Sequence, residues 1–172
     1  MQLRSKFSSM WIVCFLGLIT SAFSQEISMS FTYQAHRYPG VTDFRFIYAE
    51  GPITLGTAER FRTFVNENKI KGGAVVIFNS PGGQVSEALE MGRQIRAAGF
   101  DTSIGIKSKK EGGGCFSACT LAFLGGVRRT TGSGTLFGVH RISAKAELTV
   151  AQALEIGQIT LGQIVEYVSY MV

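Results

Sequence analysis

The chain is short of charge: of its 172 residues 17% are Asp, Glu, Lys or Arg, against 45% hydrophobic. That balance excludes a disordered chain and leaves a globular one, long enough for a single domain with a sizeable core. Histidine is scarce, with only His36 and His140, and cysteine nearly so, with Cys14, Cys115 and Cys119. None of the cysteines forms a C-x-x-C pair, the spacing that thiol redox chemistry normally uses. There is no basic stripe interleaved with aromatics to suggest nucleic acid as a partner.

The apolar run from Met10 to Thr20 is too short for a comfortable membrane span. Arg4 and Lys6 precede it and the small-residue pattern Ser21-Ala22-Phe23-Ser24 follows, the layout of a secretory signal peptide over residues 1–24. Cleavage after Ser24 is the expectation, with a retained leader as the only membrane attachment. That segment carries two bases and no acid, so without it 15 bases face 12 acids and the net charge drops from +5 to +3. Export, to the periplasm of a bacterium, also changes how the cysteines are read. Cys14 leaves with the leader, and Cys115 and Cys119 remain in a compartment that permits disulfides. In one regular helix their spacing gives no good bridging geometry, so a disulfide requires Cys115 to lie just outside the helix. The alternative is two small buried hydrophobes.

Residues 25–43 show no clear period and are left as an N-terminal arm, in which Ser28–Tyr33 is either a strand or loose and His36 is a surface residue. From residue 44 the punctuation is clearer. Phe44–Ala49 reads as a strand, Thr57–Asn66 as a helix with Ala58, Phe61 and Val65 on one face, and Ala74–Phe78 as a short apolar run suited to a buried parallel strand. Asn79-Ser-Pro-Gly-Gly83 then turns into a helix from Val85 to Ala98, with Gly99 placed to end it and Phe100–Ile106 as the next strand. Strand, glycine turn, helix and strand in that order make a βαβ unit the natural assembly. Lys107–Glu111 is a solvated loop. Val127–Thr131 and Thr135–Val139 read as strands, and Thr149 with Gln152 makes a capping box for a final helix striped by Leu154, Gly157, Leu161, Ile164, Val168 and Met171, with nothing after Val172 to cap it.

The chemistry concentrates at Cys115-Phe-Ser-Ala-Cys-Thr120, where three glycines give way to the apolar helix beginning Leu121-Ala-Phe-Leu124. Ser117 falls near the first turn of that helix, beside unpaired N–H groups that favour a developing negative charge. Serine at such a place ordinarily caps the helix. Acyl transfer needs a nucleophile, a base and donors aimed at the oxyanion. Ser117 is the candidate nucleophile and His140 the candidate base, imidazole being the side chain that ordinarily titrates close to neutrality. The backbone N–H groups of Gly83 and Ala118 are the candidate donors, glycine letting the backbone approach a carbonyl closely. Taken singly, Pro81-Gly82-Gly83 is a tight turn and His140 a hydrogen-bonded histidine at a strand end.

In order and spacing, Ser80-Pro-Gly-Gly83, a helix, a strand, a serine opening an apolar helix, and a strand ending Gly138-Val-His140-Arg resemble the Clp protease proteolytic subunit and its exported ClpP-like relatives. The resemblance covers residues 44 to 170. It implies an α/β fold of the crotonase type, a spiral of ββα units with a mostly parallel buried sheet, and a serine peptidase that uses no metal and no cofactor. It carries the nucleophile to Ser117, the base to His140 and the oxyanion hole to Gly83 and Ala118, with a peptide or protein as substrate and a homo-oligomer as the assembly. The flanking cysteines match the exported relatives rather than the cytosolic enzyme. No residue matches the family's acidic triad member. Glu147 and Glu155 are near His140 in sequence but neither fits the motif, and residues 44–172 are expected to be a copy of the domain incomplete at its C-terminal end. A Ser-His pair without its orienting acid loses about four decades of rate in the serine-protease template. An inactive binding or assembly module, and more remotely thiol redox through Cys115 and Cys119, are the competing readings.

Intact-mass measurement of the exported protein tests the leader directly. A mass lacking residues 1–24 is expected, and one that retains Met1 to Ser24 rejects cleavage.

Overall fold

A computed structural model describes residues 28–37, 39–40, 43–109, 111–140 and 148–172. The expected signal peptide with Cys14, part of the N-terminal arm, and Glu147 lie outside the described residues. A four-stranded sheet forms one body of the molecule, in the order β1 (Ser30–His36), β2 (Phe44–Glu50), β3 (Val75–Asn79) and β4 (Asp101–Ile104). β1 pairs antiparallel with β2, and β2, β3 and β4 run parallel. The mostly parallel α/β architecture expected from the sequence is the one that forms. The helices α1 (Thr57–Glu67) and α2 (Val85–Ala97) make the crossovers. Parallel neighbours require such connections, since a hairpin cannot join them.

The core follows from the apolar patterns. Ile47 and Ala49 of β2, Val76 and Phe78 of β3, and Phe100 leading into β4 are fully buried against Phe61 of α1 and Ala88, Met91 and Ile95 of α2. Burying a side chain of this size contributes about 1.5–3 kcal/mol. α1 has no side-chain cap of its own, because its N-cap is Gly56. The carboxylate of Glu87, in the first turn of α2, instead accepts the Gly56 and Ala58 amides at 3.0 and 2.9 Å.

Several sequence expectations shift. β1, where no period was legible, is a complete edge strand. Gly114–Phe116, where no strand was expected, is a strand, β5, which pairs parallel with β6 (Leu136–Gly138). Val127–Thr131 is not a full strand: it joins β4 through a single parallel bridge, Thr102 with Arg129. Asp101 anchors it, accepting from the Arg128 amide at 3.0 Å and from its guanidinium at 2.7 Å, and that hydrogen-bonded cation holds the Asp101 carboxyl below its ordinary range.

The final helix, α4 (Val150–Met171), carries the expected Thr149–Gln152 capping box. Its stripe is only half covered, however: Leu154 and Leu161 are exposed, whereas Met171 is buried, as is Tyr167, which lay outside the expected stripe. Its C-terminal end is also capped, from far away in sequence. The Arg96 and Arg129 guanidinium groups donate to the Met171 carbonyl at 2.7 and 3.3 Å, where the negative end of the helix dipole favours them. Tyr167 donates to the Leu121 carbonyl at 2.7 Å, and burial pushes its hydroxyl pKa upward.

Gly92 is what admits that ring. A Cβ there would lie 1.8 Å from the Tyr167 hydroxyl oxygen. Gly92→Ala is expected to lower stability by about 1–3 kcal/mol, the usual penalty for overpacking, measured as a shift in denaturant midpoint. Adding Tyr167→Phe, which removes the nearest clashing atom, should make the double substitution less costly than the sum of the two single ones. Wild-type stability in Gly92→Ala would contradict this packing.

Candidate active site

Where β3 ends, the backbone splits into two hydrogen-bonded seams that build the site. On one side Ser80 bridges to Cys115: its N–H donates to the Gly114 carbonyl at 2.7 Å, and its carbonyl accepts from Phe116 N–H at 3.0 Å. This brings β5 alongside the Pro81-Gly82-Gly83 turn. On the other side Ile53 clasps the same turn, its N–H donating to the Gly82 carbonyl at 2.8 Å and its carbonyl accepting from Gln84 N–H at 2.9 Å. The two glycines are required sterically as well as conformationally. Gly82 and Gly83 have φ of 90° and 145°. A Cβ on Gly82 would lie 2.8 Å from Ser117 Cβ and 2.9 Å from the Ala118 nitrogen, and one on Gly83 would lie 2.0 Å from the Ile53 carbonyl oxygen.

Ser117 stands between β5 and α3 (Ala118–Leu124), at φ 55° and ψ −128°. Only it and Lys69 have positive φ among the described residues other than glycine. Such a conformation costs about 1–3 kcal/mol for a residue with a Cβ and recurs at functional sites. A sharp strand-to-helix turn of this kind is how a nucleophilic serine is presented at the top of a sheet. The serine is the N-cap residue of α3, yet its side chain makes no capping hydrogen bond. The ordinary reason for a serine at this place is therefore absent. Its backbone is held instead: Ser117 N–H donates to the Gly138 carbonyl at 2.8 Å, and its carbonyl accepts from Thr120 N–H and Oγ1 at 3.0 and 2.7 Å.

A cleft of about 530 Å³ opens over this turn, and Gly83, Ser117, Ala118 and His140 all line it. That volume is in the usual range for small-molecule and peptide side-chain sites. Among the described residues the N–H groups of Gly83 and Ala118 meet no protein acceptor. Both are therefore available to a bound oxygen. His140 arrives two residues beyond Gly138, whose carbonyl holds the Ser117 amide, so the β5–β6 pairing carries the histidine to the serine's cleft. No hydrogen bond joins the Ser117 hydroxyl to the imidazole. In ligand-free enzymes such bonds are often long and tighten only with substrate.

Apolar side chains from three helices share the lining: Val85 of α2, Leu121 of α3 and Ile164 of α4. No Asp or Glu lines the cleft among the described residues. Glu155 lies on the exposed N-terminal half of α4. Cys115, in β5, and Cys119, in α3, are joined by a disulfide with Cα atoms 5.3 Å apart. His36 is exposed, with its ring near Phe46. No group of three His, Cys, Asp or Glu that could hold a metal occurs among the described residues. The parts not legible from sequence are the Ile53 clasp, the β5 strand and the Ile164 wall. Three-residue β5 is too short for alternation to register, and Ile53 acts through its backbone, which no side-chain pattern reports.

No protein-family model matches the sequence, and no curated protein matches it. Solved structures do match, distantly. The chain is similar to the ClpP protease catalytic domain from Plasmodium falciparum, at 15% identity and a TM-score of 0.49, over 72% of this chain and 68% of that one. It is also similar to the crystal structure of an enzyme at 12% identity and a TM-score of 0.55, over 73% of this chain and 76% of that one. At these identities the likeness is one of fold.

Proposed function

We propose that the protein is an exported serine hydrolase, a peptidase, that acts by acylation of Ser117. The observation that carries the reading is the uncapped, positive-φ serine lining one cleft with His140 and with two unpaired amides, those of Gly83 and Ala118. In the mechanism this supports, His140 takes the Ser117 proton as Oγ attacks the carbonyl carbon. The oxyanion that forms is met by the Gly83 and Ala118 N–H groups, fixed beforehand by the Ile53 clasp and by the Ser117 turn. The imidazolium then returns its proton to the leaving amine, and water repeats the sequence on the acyl-enzyme. The peptidase class rests on the order of motifs that resembles the Clp protease subunit. The apolar wall of Val85, Leu121 and Ile164 supports a substrate with an apolar side chain beside the scissile bond.

One observation favours a second reading. No acid lines the cleft among the described residues, and a peptide-binding module that keeps the cleft without turnover is the alternative. A fluorophosphonate probe separates the two. The hydrolase reading expects labelling of the folded protein at Ser117, abolished in Ser117→Ala and slowed about 10²- to 10⁴-fold in His140→Ala, the ordinary contribution of a general base. Folded protein that stays unlabelled at Ser117 favours the module.

A further inference from the structure

The Cys115–Cys119 disulfide encloses Ser117 symmetrically, two residues to either side, and ties a strand to a helix across the serine. Both cysteines are completely buried. We propose that this disulfide is a positioning device for the candidate nucleophile, holding Ser117 in its positive-φ conformation with the hydroxyl toward the cleft. The inference rests on the hydrolase reading for its consequence in rate, but not for its consequence in structure.

The hydrogen bonds around Ser117 offset the cost of its backbone conformation only narrowly. Its amide is bound to Gly138, in a three-residue strand whose other members, Leu136 and Phe137, are exposed. Its carbonyl is bound to Thr120, within the same short turn. Three such bonds, at a net of about 0.5–1.5 kcal/mol each, stand against a backbone conformation that costs about 1–3 kcal/mol. The two are comparable, so an open turn has a reason to relax.

The escape route is geometric. Cys115 cannot join α3, because β5 is paired on both sides, to Ser80 and to β6. Relaxation of Ser117 must therefore extend the chain. Four residues of extended chain span up to about 13–14 Å, while the bonded Cα atoms are 5.3 Å apart. A disulfide holds Cα atoms within about 4.4–6.8 Å. The bond thus blocks extension of the turn while leaving the sheet and the remaining helices untouched. In consequence the elbow is set only after oxidation, and the chain with free thiols is folded but poorly competent.

The test compares the full chain, oxidised, with Cys115→Ala/Cys119→Ala. It also compares the wild type before and after dithiothreitol, which closes its own ring disulfide as two electrons and two protons return the cysteines to thiols. Saturation kinetics of fluorophosphonate labelling should show a maximal rate about ten- to a hundredfold lower without the bond, at an unchanged half-saturating probe concentration. Hydrogen exchange at the Ser117 amide should accelerate at least about tenfold, while β3 amides keep their protection. If the double variant does not fold, the dithiothreitol comparison decides. Equal labelling and equal Ser117 exchange with and without the bond would overturn the proposal. So would global unfolding on reduction, which would make the bond a general stability element. If the oxidised protein is not labelled at all, the hydrolase reading fails and Ser117 exchange alone decides the positioning claim.

Discussion

Ser117 occupies a backbone conformation that its own Cβ disfavours, between a paired strand and a helix that the Cys115–Cys119 disulfide ties together. β5 fixes the residues before it by pairing to Ser80 and to β6, and α3 begins immediately after it. Between a paired strand and a helix start there is room for one residue, and that residue must reverse the chain. The turn leaves the serine lining the cleft, with no side-chain hydrogen bond back onto the helix. The same crowding explains Gly82, whose backbone comes so near the serine that no side chain fits between them. The candidate nucleophile and the candidate oxyanion donors thus arise from one steric arrangement.

The rest of the molecule steadies that arrangement. Glu87 caps α1 and so fixes the segment that begins at Ile53, and Ile53 clasps the glycine turn from the far side. Arg96 and Arg129 gather the C-terminal ends of α3 and α4 onto one carbonyl cluster, donating to Leu124, Gly125, Gly126 and Met171. That junction keeps Ile164 over the cleft, while the Tyr167 hydroxyl fastens the carbonyl of Leu121, another lining residue. The apolar wall is therefore built from three helices, held by side chains that never reach the cleft.

Much of this was legible in the sequence, for stated physical reasons. Continuous apolar runs marked β3, and the periodic faces of α1 and α2 gave the crossovers, because burial imposes its period on the chain. Serine, glycines and histidine could be assigned to one site because a specific order of motifs outweighs any one of them. What escaped depends on interactions between distant backbones. β1 is an edge strand whose residues are all half-buried or exposed, so its pattern is weak. The bridging of Val127–Thr131 to β4 is governed by Asp101, and the cap of α4 by two arginines more than forty residues away in sequence, Arg96 and Arg129. The uncovered half of the α4 stripe shows the reverse case: a helical period is present, but nothing among the described residues packs on it.

Acylation at Ser117 requires the hydroxyl, the imidazole and the two amides to act on one bound group. A crystal structure of the protein reacted with a small phosphonate ester tests this most directly. The account predicts phosphorus bonded to Ser117 Oγ, a phosphonyl oxygen within hydrogen-bond distance of both the Gly83 and Ala118 nitrogens, and the His140 ring beside Oγ. A phosphonyl oxygen turned to solvent, or an imidazole directed away from the adduct, would contradict it.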